Sequence, residues 1–355
     1  MTQEPCPVFP FDTLCSMPTR VFLTGATGFV GTNLCPMLLD RGYELRCLIR
    51  PGKKAPELNR PGVEKVEGTI EDTGILREAM RGIDQVIHLA AVVSFRKQDR
   101  ARSFEINVGG TERMTKLARE AGVTRFLHTS SIAAVGYSSK PIELDETTPF
   151  NLGPLRIGYC DSKQAAELVV LEEVKRGLDA VIVNPASMFG PGDRRKAKGS
   201  LLEKAAYGRV KFCLPGGSAF ADVRDVAAGC IAALERGRTG ERYILGGQNV
   251  TNRQLIQKIY SVLGRTPPRF TMPAFLLKGL AIGATVWEKF RPLAPPLTAE
   301  ILRLAPRYTW FTSRKAEEEL GYAAYPIEMG IKAAYDWMLD LDLIDHKKMQ
   351  ALGRT

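Results

Sequence analysis

The sequence predicts a doubly wound α/β fold: a parallel sheet covered by helices on both faces, followed by a smaller, mostly helical C-terminal part. Three observations predict it. Short apolar, β-branched runs alternate with helical patterns from Arg20 onward, a glycine-rich turn joins the first run to the first helix, and the alternation stops near Pro185. Parallel neighbours need crossover connections, and the crossover helices then bury both sides of the sheet.

In chain order, residues 20–25, 44–50, 63–68, 84–91, 124–131 and 178–185 read as strands, and helical patterns lie near 29–41, 73–81, 101–121 and 160–176. Pro36 falls inside the first helix, where a lost donor costs about 3 kcal/mol, so a kink is expected between Thr32 and Pro36. After Pro185 a Gly- and Lys-rich loop runs to Gly199, followed by a helix, a short strand, and residues 221–237, a helix returning to the main domain. From Thr251 to about Leu343 the pattern is mostly helical, with breaks at Pro267-Pro268 and Pro295-Pro296. The expected organisation is a flexible tail over 1–19, a main domain from 20–185 plus about 222–246, a smaller domain from about 186–221 plus 247–345, and a tail over 346–355.

At 355 residues the chain exceeds what one core usually serves. It carries 49 basic and 39 acidic residues, a formal charge of +10 that suits anionic ligands without naming one. Seven cysteines are scattered singly with no C-x-x-C pair, so neither a zinc site nor a disulfide framework is indicated, no metal is expected, and free thiols fit a reducing, cytoplasmic setting. Residues 1–19 lack an apolar run of signal-peptide length. The longest apolar stretch, 272–287, is interrupted by Pro273 and Lys278 and is too short for a membrane span. Extended to 290, it fits a buried core helix, a cap on an apolar pocket, or a helix lying on a bilayer; peripheral membrane contact stays open.

Residues 24–31, TGATGFVG, place Gly25, Gly28 and Gly31 after the first strand and at the opening of the first helix. One glycine makes the tight turn, the second lets the backbone approach a pyrophosphate, and the third lets the helix pack on the strand. The anion then meets the helix N-terminus. The second strand ends in Arg50, followed by Lys53 and Lys54, with no acid at the position that would hold a ribose 2′-hydroxyl. A guanidinium pairs with a 2′-phosphate, so NADP is expected over NAD.

In 159–163, YCDSK, Tyr159 and Lys163 stand four residues apart in a helical pattern and so share one face. A fixed cation can bring a phenol from about 10 toward 7 for proton exchange. The strand over 124–131 ends in Thr129, Ser130 and Ser131, whose hydroxyls project into the crevice at the carboxyl edge of an open sheet, where Ser131 can hydrogen-bond a carbonyl oxygen.

Together, TGATGFVG, HLAA at His88–Ala91, Asn107 in NVGGT, TSSIAAVG, YCDSK, VNPASMFGPGD and GERYILGG resemble the extended short-chain dehydrogenase/reductases over about Arg20 to Leu343. The likeness is greatest to the dihydroflavonol-4-reductase-like branch, which includes proteins labelled hopanoid-associated sugar epimerases. The resemblance implies a Rossmann domain for the cofactor and a smaller domain for the substrate. It implies that Ser131 polarises the carbonyl, Tyr159 is general acid or base, and Lys163 lowers the tyrosine's pKa and holds the ribose. The cofactor groove would be lined by Gly25, Thr27, Gly28, Phe29, Val30, Gly31, Arg50, Leu89, Ala90, Ala91, Asn107, Thr129, Tyr159, Lys163, Pro185, Ala186 and Ser187. Two departures stand out: Thr69 occupies the place of an adenine-binding Asp, and the Arg-Asp pair that nucleotide-sugar epimerases often place before 214–226 is missing, Arg224 and Asp225 falling later.

The resulting expectation is an NADP-dependent oxidoreductase acting on a carbonyl or secondary alcohol of a small molecule, monomeric or homodimeric, with no nucleic-acid partner. An epimerase using the same residues is the alternative, and a non-catalytic cofactor-binding or RNA-binding member of the fold is a second.

Overall fold

The computed structural model describes residues 18–194, 197, 199–293 and 298–345. Nearly all of both expected tails and the Pro295-Pro296 break lie outside the described residues.

The apolar runs of the first half form β1 (Arg20–Thr24), α1 (Phe29–Leu39), β2 (Glu44–Ile49), β3 (Val63–Glu67), α2 (Thr73–Ala79), β4 (Gln85–His88), α3 (Arg100–Phe104), α4 (Gly110–Glu120), β5 (Arg125–Thr129), α5 (Gly158–Lys175) and β6 (Ala180–Pro185). There follow β7 (Ser187–Phe189), α6 (Leu201–Ala206), β8 (Gly217–Asp222), α7 (Val223–Arg236), β9 (Arg242–Leu245), β10 (Gln248–Thr251), α8 (Asn252–Val262), α9 (Ala274–Trp287), α10 (Ala299–Leu304), β11 (Tyr308–Thr309), α11 (Arg314–Leu320) and α12 (Ile327–Asp340).

Seven strands form one parallel sheet in the order β3-β2-β1-β4-β5-β6-β9. The order reverses between β1 and β4, and a crevice opens at such a switch point beyond the strands' carboxyl ends. One face is covered by α1, α7 and α11, with Leu34, Leu38, Ala227, Ala233 and Leu320 packed on Leu23, Ile87 and Leu127. The other face carries Leu76, Met114, Leu117 and Val170 from α2, α4 and α5, packed on Phe22, Val86 and Phe126. Burial on both faces is why these strands read as continuous apolar runs.

The helical stretch 100–120 is interrupted by a π-turn over Glu105–Gly109. The first helix continues through Pro36, and Thr32 Oγ1 there bonds the Gly28 carbonyl, so the expected kink does not divide it.

The smaller part is mostly helical, as expected, and it also carries a sheet of its own. Strand β8 pairs with β7, β10 and β11 to make a second sheet, backed by α6, α8 and α12. Strands β7 and β11 are three and two residues long, too short to show an alternating pattern, and they exist because β8 pairs with them. The chain passes between the two sheets repeatedly: Ala186 alone joins β6 to β7, β8 runs directly into α7, and Gly246-Gly247 joins β9 to β10.

Gly216 opens β8 at φ +86°, and a Cβ there would collide with the carbonyls of Ala305 and Arg307. Gly264 has φ +64° with open space around it. Both alanine substitutions incur the left-handed penalty of about 1 kcal/mol, but only Gly216→Ala adds the collision. Its urea midpoint is expected to fall at least twice as far as that of Gly264→Ala; equal shifts would show that the turn yields freely.

Candidate active site

The glycine turn sits at the switch point. Gly25 takes φ +78°, and a Cβ on it would lie 2.9 Å from the Ala90 nitrogen, so the β1 and β4 ends meet backbone to backbone. Gly28 is the N-cap of α1 in extended conformation, with no side chain capping the helix and no acid in its first turn. Gly31 packs against the Gly25 and Ala26 carbonyls, where any Cβ would collide. Thr27, Phe29 and Val30 are half-buried around this opening. Uncapped N–H groups at a positive helix end, in a cradle that side chains would fill, fit the pyrophosphate of a dinucleotide.

The neighbouring strand ends complete the crevice floor. Thr111 donates to the Asn107 carbonyl at 2.7 Å and so accepts from His88 Nε2 at 3.2 Å. Burial pushes His88 down to about 3, so the ring is neutral and its Nδ1 accepts from Thr24 Oγ1 at 2.8 Å. Thr24 Oγ1 in turn accepts from the Ala90 N–H at 3.2 Å. Leu89, Ala90 and Ala91 follow, half-buried along the groove. Strand β2 pairs Leu48 with Thr24 and then runs out to exposed Arg50 beside the turn. Thr69 Oγ1 accepts from the Glu71 N–H, while Glu71 is held by Arg102 at 2.7 Å.

Asn107 departs from its expected place in the cofactor groove. It is buried, its Oδ1 accepts from the Val92 N–H at 2.7 Å, and its Nδ2 donates to the Val92 carbonyl and to Ser162 Oγ at 2.9 Å. Its amide clamps the loop after β4 to α5, and the π-turn is the backbone shape that places it there.

Tyr159 and Lys163 lie buried on one face of α5 against the end of β5. The Ser131 hydroxyl accepts from the Ala133 N–H at 3.2 Å and lies beside the Tyr159 phenol, whose pKa it lowers, whereas Ser130 lies beside Glu167. Lys163 Nζ donates to the Thr129 carbonyl at 2.8 Å. The expectation that the lysine lowers the tyrosine does not describe this arrangement. Burial outweighs the Ser131 hydroxyl and pushes the phenol up to about 12, and burial pushes Lys163 down to about 8 against the pull of Glu167. Thr129 therefore contributes its carbonyl to the lysine. Pro185 ends β6 and Ala186 follows it, both buried, and Ser187 begins β7 exposed.

Several residues outside the motifs hold this centre. Buried Glu167, one turn beyond Lys163, accepts from Asn184 Nδ2 at 2.6 Å, and the same amide donates to the Ser131 carbonyl at 2.9 Å. Its signal in the sequence is an acid at i+4 from Lys163 on the same helical face. The Phe95 ring stands 5.5 Å from that of Tyr159. From α10, Glu300 Oε1 accepts from the Gly158 N–H at 3.3 Å, at the first residue of α5.

Comparison with known proteins agrees with this architecture. A family model for the NAD dependent epimerase/dehydratase family matches residues 21–246. A protein of Methylococcus capsulatus named sterol demethylase protein B is 34% identical, covering 91% of this chain and 99% of its own length. A Synechocystis protein named for dihydroflavonol 4-reductase is 32% identical over 91% of this chain and 95% of its own, and a 3 beta-hydroxysteroid dehydrogenase/Delta 5→4-isomerase of Mycobacterium tuberculosis is 30% identical over 85% of each. Among solved structures, that of gox2253 superposes with a TM-score of 0.83 at 32% identity, covering 92% of this chain and 99% of that one.

The depressed lysine has a measurable consequence for stability. Because Lys163 holds its proton less tightly in the fold than at its ordinary 10.5, the linked stability is full above that value and is lost as pH falls toward about 8. As pH rises from about 8 to 10.5 the wild type should therefore gain stability relative to Lys163→Met, read as an increase in wild-type Tm minus variant Tm. A constant difference across that range would show that the ammonium is not strained by burial.

Proposed function

The chain belongs to the NAD-dependent epimerase/dehydratase family, and from that premise we propose that it is an NADP-dependent oxidoreductase acting on a carbonyl or secondary alcohol of a small organic molecule. The observation that carries this reading is the convergence of Ser131, Tyr159 and Lys163 at the carboxyl edge of β5, beside the glycine turn. Bound NADPH would supply a hydride. The chain's own residues handle the proton and the orientation. Ser131 and Tyr159 both address the carbonyl oxygen, and Tyr159 donates the proton that oxygen needs on reduction. A phenol held up at about 12 is protonated at neutral pH, which suits it to act as the acid. Lys163, anchored on the Thr129 carbonyl, has further donors for a ribose and supplies positive charge as the phenolate develops.

Arg50 supports NADP: it is exposed where β2 passes the turn, and a guanidinium can hold a 2′-phosphate bidentately. The smaller sheet and its helices would shape the substrate side, and the relatives with sterol and steroid names support an apolar substrate. Against a nucleotide-sugar epimerase, Arg224 is already committed to Asp222 at 2.6 Å.

Two measurements test the reading. Tyr159→Phe should lower kcat on a reducible carbonyl by about 100-fold or more while NADPH binding changes little; unchanged turnover would remove the tyrosine from the chemistry. Arg50→Glu should weaken NADPH binding at least about tenfold with NADH nearly unaffected, and parallel changes for both cofactors would leave Arg50 without its role.

A further inference from the structure

Helix α9 is inside-out for a helix facing water. Its inward side is small, with Leu277, Ala281 and Ala284 buried against α10, while Phe275, Leu276, Leu280, Ile282, Val286 and Trp287 are exposed. At about 100° per residue these six side chains, with Gly279 and Gly283 among them, cover an uncharged arc of about 160°. Phe290, in the turn that follows, is 80% exposed. Lys278 lies along one edge of the arc, and Lys289 and Arg291 close its end. The one acid of residues 274–291, Glu288, turns inward to accept from the Ala299 N–H at 3.1 Å. Among the described residues no helix is long and apolar enough to cross a membrane.

We propose that residues 274–291 dock this protein on the surface of an anionic bilayer, with the aromatic and aliphatic arc at the level of the headgroups and the cations against lipid phosphates. Charge decides between this and a second copy of the chain. A two-fold contact through this face would set Lys278, Lys289 and Arg291 against their own counterparts, whereas an acidic lipid surface complements them. Position agrees. A cavity of about 500 Å³ lies between residues 96–98 and 288–293, and Arg96 on its wall follows Phe95, whose ring packs on Tyr159.

Flotation of the full chain with phosphatidylcholine vesicles, with and without about 30% phosphatidylglycerol, tests the proposal. Binding to the anionic vesicles is expected to be at least about tenfold tighter and to weaken as salt rises, with a blue shift of tryptophan emission that Trp287→Phe removes. Phe275→Asp with Ile282→Asp changes two exposed side chains, so the circular dichroism spectrum should hold while vesicle binding falls about tenfold or more. No flotation with anionic vesicles, equal binding by the double variant, or self-association abolished by that variant without vesicle binding would each overturn the proposal. The readout needs no turnover, so it stands or falls separately from the oxidoreductase reading.

Discussion

The candidate centre depends on one buried ammonium. Lys163 is withdrawn from water and held by the Thr129 carbonyl, with Glu167 a turn away on its own helix. An ammonium in such a place is costly unless its donors are met, and here the last residue of a sheet strand meets one of them. That contact joins α5 to β5, and it fixes where Tyr159 and Ser131 can stand. The surrounding network is built to keep it so. Asn184 ties Glu167 to the Ser131 carbonyl, Asn107 ties α5 to the loop after β4, and Glu300 reaches the start of α5 from the smaller part.

The same burial separates the two members of the pair in an instructive way. Desolvation disfavours whichever form is charged, so it raises the phenol and lowers the ammonium. Proximity of a cation is not sufficient to acidify a tyrosine; its attraction for the phenolate must also exceed the cost of taking that phenolate out of water. In this arrangement burial wins and the phenol keeps its proton at neutral pH.

Much of the architecture was legible because it rests on local pattern. Strands β1, β4, β5 and β6, buried on both faces, appear as apolar runs, and the turn of Gly25, Gly28 and Gly31 needs glycine for reasons that spacing alone displays. What was not legible rests on distant partners. Strands β7 and β11 have no period to read and are made by β8; the Asn107 amide clamps Val92 fifteen residues away, which no local pattern displays; and Glu167 belongs to no motif because its partners Asn184 and Arg242 come from β6 and β9. The direction of the Tyr159 shift was likewise hidden, since spacing reports which groups are neighbours and says nothing of how much water reaches them.

The passage of the chain back and forth between the two sheets bears on the order in which the molecule can form. Strand β6 has β5 on one side and β9 on the other, yet 56 residues, Ala186 through Glu241, separate β6 from β9, and they include all of β7 and β8. During synthesis the edge of β6 that β9 will cover stays open until β7 and β8 of the second sheet have been made. Once β9 follows, the first sheet has all its strands, while the second still awaits β10 and β11.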